Sequence, residues 1–134
     1  MSEHPNAARI RGLFAAFRAR DVGAIRSALS EQAVWHFPGR EGHLAGTHSG
    51  HDGIFRFLAR VAELTGGTFE PDLEEVLAND AYAVVFFRGR ARRGDRELDN
   101  PTCLKIRLEE GLAVEIWEFV WDLEAVDRFW SSMS

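Results

Sequence analysis

The sequence predicts an α+β fold in which helices pack on a cone-shaped, curved antiparallel sheet, and three observations predict it. Apolar residues recur at helical spacing through the first half of the chain, then alternate with a period of two through most of the second. Glycine-centred turns cut that second half into short strands suited to hairpins. Segregated helices and strands of this kind pack as a helical layer on an antiparallel sheet. At 134 residues the chain is expected to form one domain, residues 1–134, with enough length to bury a core unaided.

The elements follow in order. Ile10, Leu13, Phe14 and Phe17 mark one buried stripe of an opening helix. Asp21 is placed to cap a second, shorter helix carrying Val22, Ile25 and Leu29 on its inner face. The segment AVWHF reads as a short strand stopped by Pro38-Gly39. After a loop, Ile54, Phe57, Leu58, Val61 and Leu64 restore helical spacing, and Gly66-Gly67 ends that helix. From Phe69 to Leu77 a strand with an acidic face is expected, then three more strands divided by turns at Gly94 and Gly111. In the middle one, Thr102, Leu104, Ile106 and Leu108 face the core while Cys103, Lys105 and Arg107 face water. Asp122 caps a last helix whose apolar side holds Val126, Phe129 and Trp130.

Composition narrows the partners. Sixteen Lys and Arg against twenty-one Asp and Glu give a net charge of −5, which argues against nucleic acid or an anionic membrane as partner. One cysteine, Cys103, excludes an internal disulfide and an all-cysteine metal site. The opening MSEHPNAARIRG has no apolar signal-peptide core, and the longest apolar run, Ala81 to Phe87, is far short of the ~20 residues that span a bilayer. A cytoplasmic protein is the expectation.

Four of the five histidines, His36, His43, His48 and His51, fall within sixteen residues. His48-x-x-His51 has ligand-like spacing, but no acid or cysteine completes a metal pattern, so His43, His48 and His51 read as loop and helix-start residues and no metal is expected. On the last strand Val114 and Ile116 read as core, which directs Glu118 and Asp122 inward. Trp117, Phe119 and Trp121 then share the other face. Either a bulge reverses that phase or a second copy of the chain covers it. Arg88, Arg90 and Arg92 alternate along one strand and read as a solvated face answering the acidic strand Glu70–Glu74.

Taken together, the helical opening with ARD, then VWHFPG, LAGTHSGHDGI, ELTGGTF and EEGLAVEIWEF resemble the SnoaL-like branch of the nuclear transport factor 2-like superfamily. That group includes ketosteroid isomerase and the polyketide cyclases, and its fold is a cystatin-like α+β barrel. The resemblance implies an apolar cavity in the cone, a sheet-mediated homodimer, a hydrophobic small-molecule ligand and no cofactor. It places His36 where the isomerase carries its general base, a role suited to an imidazole. The isomerase's oxyanion-hole tyrosine falls on Leu13 or Phe14, and its partner acid near Asn100 to Thr102, so the donors for steroid isomerisation are missing.

The acid of the family's cyclases corresponds to Glu118 or Asp122. A desolvated Glu118 beside His36 would make an acid–base pair. Phe14, Phe17, Trp35, Phe55, Phe87, Asn100 and Trp117 are the expected substrate-contacting residues. The leading reading is thus a proton-transfer enzyme, an isomerase or cyclase acting on a carbonyl compound. The alternatives are a non-catalytic ligand-binding or dimerisation module, and a limonene-type epoxide hydrolase, whose Asp–Arg–Asp arrangement this sequence does not assemble.

Overall fold

The computed structural model describes residues 3–40, 42 and 44–131. His43 lies outside the described residues. The element order is α1 (Pro5–Ala19), α2 (Val22–Ala28), β1 (Leu29–Phe37), β2 (Gly46–Ser49), α3 (Gly50–Thr65), β3 (Glu70–Ala78), β4 (Tyr82–Arg93), β5 (Arg96–Glu109), β6 (Leu112–Val120) and α4 (Leu123–Trp130).

Local chemistry explains the boundaries. His4 caps α1 by accepting the Asn6 N–H at 3.0 Å through Nδ1, with Pro5 in the first turn where its missing N–H costs nothing. Asp21 accepts the Ala24 N–H at 3.1 Å and starts α2. Gly66 at φ 59° ends α3 in the left-handed region. Asp122 accepts the Ala125 N–H at 3.0 Å and starts α4.

Six strands form one sheet in the order β2-β1-β6-β5-β4-β3. The expected antiparallel sheet is mixed at one seam: β1 and β6 run parallel, because the long path through α3 and the β3–β5 meander returns β6 beside β1 in the same direction. β2, expected as loop, pairs antiparallel to β1 over Val34–Phe37 and forms one edge. Register shifts between Leu73 and Glu75 and between Arg107 and Leu108 mark bulges that bend the sheet.

The helices lie on the concave side, α1 against β3 and β4, α3 against β1, β2 and β4, and α4 against β5. Period-two alternation sends Val85, Phe87, Leu104, Ile106 and Ile116 into the core they share with Ile10, Leu13, Phe14, Ile54 and Phe57. No described helix is long and apolar enough to cross a membrane.

Candidate active site

Between the sheet and the helices lies a cavity of about 440 Å³, within the size range of small-molecule sites. Its walls are mainly aromatic. Phe14 and Phe17 reach it from the α1 stripe, Trp35 and Phe37 from one parity of β1, Phe57 from α3 and Phe87 from β4. The exposed lining residues Arg18, Arg20, Val22 and Glu70 mark where it opens.

Inside, the chemistry belongs to Glu118. Trp35 Nε1 donates to Glu118 Oε1 at 3.1 Å, and no other hydrogen bond engages the carboxyl among the described residues. The side chain is half-buried and lines the cavity. Burial therefore dominates, and it pushes the Glu118 carboxyl up from 4.5 to about 7, against the smaller lowering effect of the Trp35 hydrogen bond. Near neutral pH this group can both give and accept a proton. Among the described residues, the other ionisable side chains of the lining, Arg18, Arg20 and Glu70, all belong to the opening.

Of the residues singled out from the sequence, Phe14, Phe17, Trp35, Phe55, Phe87, Asn100 and Glu118 line this cavity. Asn100 has its amide turned to the backbone: Oδ1 accepts from Trp121 N at 3.1 Å and Asp122 N at 3.3 Å, and Nδ2 donates to Asp122 O at 3.1 Å. It pins the turn between β6 and α4.

His36, Asp122 and Trp117 stand elsewhere. The expected pairing of His36 with Glu118 is corrected by strand parity, since Trp35 and Phe37 occupy the inward positions and turn His36 to the outer face. There its Nε2 lies 2.6 Å from Glu115 Oε2, its Nδ1 3.1 Å from the Thr47 hydroxyl, and its ring stacks on Trp117 at 5.7 Å. Trp117 is thus on the convex side, under the Lys105 ammonium at 4.7 Å, and not in the cavity. Asp122 is exposed, and its carboxylate is committed to the cap of α4.

The bulge did not rescue the last strand's aromatics from solvent. It falls at Val114, ahead of them, so that Ala113 and Ile116 both point inward while Trp117 and Phe119 stay outside. Phe119 is 55% and Trp121 83% exposed.

Elsewhere, His48 donates through Nε2 to Leu44 O at 2.8 Å and stacks on Phe57; His51 donates through Nε2 to Leu29 O at 2.9 Å. Both rings brace the β2–α3 segment, and no cluster of three metal-binding side chains occurs among the described residues. Arg90 pairs with Asp72 on β3 at 3.1 Å as the acidic strand implied, while Arg88 turns to Asp99 on β5 at 2.9 Å.

Sequence reading missed Phe37, Phe57 and Trp130 as cavity residues. The signal was present for two of them. Phe57 sits on the same helical stripe as Ile54, and Phe37 shares its parity with Trp35.

Comparison with known proteins agrees with this architecture. A protein of Mycobacterium tuberculosis (strain H37Rv), itself uncharacterised, is 29% identical over 123 residues, covering 91% of this chain and 93% of its own. The structure of Bal32a, from a soil-derived mobile gene cassette, superposes with a TM-score of 0.89 at 36% identity, covering 93% of this chain and 95% of that one. TerC, co-crystallised with polyporic acid, superposes with a TM-score of 0.82 at 26% identity, covering 96% of this chain and all (100%) of that one. The model of the SnoaL-like domain matches residues 10–116. With that match across most of its length, and with the Glu118 carboxyl lining an aromatic cavity, the chain belongs to the SnoaL-like family.

Proposed function

We propose that this protein is a small-molecule enzyme that moves a proton on an apolar carbonyl substrate held in the cone, with Glu118 as its general acid and base. The observation that carries the reading is the isolation of Glu118: among the described residues it is the one ionisable side chain of the lining away from the opening, and it is anchored through a single oxygen by Trp35. The second oxygen is left to a substrate. A carboxyl poised near 7 removes a proton α to a carbonyl and returns it at another position, which is the step shared by isomerisation and aldol-type cyclisation. The aromatic walls hold the substrate and exclude water. The relative TerC, co-crystallised with polyporic acid, supports small-molecule binding in a fold of this kind.

The test is exchange of an α-proton of cavity-binding ketones in heavy water, followed by NMR. Glu118→Gln keeps an acceptor for Trp35 Nε1 and should slow exchange by about 10²- to 10⁴-fold, the usual contribution of a positioned general base. Exchange unchanged in that variant would end the proposal.

A homodimer through the outer sheet face belongs to the same reading. In the register of β4, β5 and β6, Phe86, Cys103 and Phe119 lie side by side, with Trp117 in the next row. Phe86 and Phe119 are 40% and 55% exposed in the single chain, an apolar surface that a second copy would cover.

A further inference from the structure

The cavity's interior has a property that the proton-transfer reading does not use. Its rings touch in an unbroken chain: Phe87 to Phe14 at 5.3 Å, Phe14 to Phe17 at 5.5 Å, Phe17 to Trp35 at 6.1 Å, Trp35 to Phe57 at 5.3 Å, and Phe57 to Phe37 at 5.3 Å. All six line the cavity, and the Trp35 in the middle of the chain holds Glu118. Aromatic faces are electron-rich and attract organic cations.

Donors are scarce by comparison. Among the described residues, the Trp35 N–H is engaged by Glu118, the Thr102 hydroxyl donates to Asn100 O at 3.1 Å and the Thr65 hydroxyl donates to Val61 O at 2.8 Å, which leaves the Trp130 indole N–H as the further aromatic donor of the lining. An oxygen-rich or anionic ligand would find few groups to replace its lost hydration. A cation finds aromatic rings and a carboxylate.

We propose that the cavity takes a lipophilic organic cation, an ammonium group carrying an apolar or aromatic tail, with its charged head between the aromatic walls and the Glu118 carboxylate. The inference rests on Glu118 being the working carboxyl of the site, and narrows the substrate class to amine-bearing compounds. Alkyl groups on the ammonium weaken its hydration, and pairing with the carboxylate offsets the desolvation cost of both charges. At the opening, Arg18 and Arg20 stand with Glu70 and with Asp72, which lies 3.7 Å from Arg18 and is shared with Arg90 at 3.1 Å, so the selecting negative charge is the interior one. Among the described residues around Glu118, α2, β1, α3, β4, β5 and α4 bring no ionisable side chain to the lining; the charged groups are Arg18 and Arg20 from α1 and its end, and Glu70 from β3. Since Glu118 is protonated below about 7, binding the cation there expels one proton to water.

The experiment compares benzyltrimethylammonium with its neutral isostere neopentylbenzene, read by intrinsic tryptophan fluorescence. At pH 8 the cation should bind about tenfold more tightly than the isostere, the factor expected of desolvated cation–π contact with a carboxylate nearby. That preference should fall away as the pH is lowered below 7. Glu118→Gln should abolish it while neopentylbenzene still binds, and Phe17→Leu should weaken only the cation. Equal or tighter binding of the isostere at pH 8, or a preference that survives in Glu118→Gln, overturns the proposal. If the cation loses but Glu118→Gln still stops α-proton exchange, the amine class alone falls. If neither probe binds, the cavity reading falls with it.

Discussion

Trp35 and Glu118, 83 positions apart in sequence, meet through one 3.1 Å hydrogen bond from the indole N–H to a carboxyl oxygen inside the cone. The strand pair that joins them, β1 with β6, is the one parallel seam of the sheet. The contact orients the carboxyl, and it also stabilises the charged form against burial.

Stability should therefore depend on pH in a direction unusual for a glutamate. The folded carboxyl titrates near 7 and the unfolded one near 4.5, so between those values the unfolded chain has lost a proton that the folded chain keeps. Glu118 thus stabilises the fold least above pH 7 and is without penalty below about pH 4.5. At about 1.4 kcal/mol for each pH unit between the two values, the ceiling is about 3.5 kcal/mol. Urea melts of the wild type and Glu118→Gln should diverge from pH 5 to pH 8, with the variant the more stable at pH 8. Parallel curves would contradict the burial assigned to this group.

Trp35→Phe should raise the Glu118 titration further, because it removes the donor that favours the carboxylate. The loss in stability should be about 1–3 kcal/mol from the unpaired carboxyl and the smaller ring. NMR titration of the labelled glutamate carbons reads the first effect, and a midpoint moved downward would refute the role given to the indole.

His36→Ala should leave ligand affinity and α-proton exchange at wild-type levels, since the imidazole faces Glu115, Thr47 and Trp117 on the outer side. A half-exposed pair of this kind contributes roughly 0–1 kcal/mol. A large fall in exchange, with the fold intact by circular dichroism, would show that the imidazole reaches the chemistry.

Phe119→Glu should convert a dimer into a monomer in sedimentation experiments, because it places a charge amid Phe86, Cys103 and Trp117 where a second copy would bury it. Ligand binding should persist, since the cavity opens on the opposite side of the sheet. A wild-type chain that sediments as a monomer at high concentration would remove the dimer from the account.

Much of the architecture was written in periodicity. The stripe through Ile10, Leu13, Phe14 and Phe17, the caps at Asp21 and Asp122, and the alternation of β4 and β5 are local patterns that tertiary packing had no reason to override. β2 escaped because four residues, GTHS, with no apolar alternation become a strand only by pairing with β1. The site was half legible. Glu118 and most of the aromatic lining followed from the family resemblance and from parity, but the same parity, applied to Trp35, His36 and Phe37, already turned the imidazole outward.

What the sequence determined alone was the set of elements, their amphipathic faces and the family, because those depend on neighbours within a few residues. What only the tertiary structure decided was which side chains share the hollow. The β1–β6 pairing, the bulge at Val114 and the curvature of the sheet bring Trp35 to Glu118 and separate Glu118 from His36. Such long-range register is set by the packing of the whole core, which no local spacing contains.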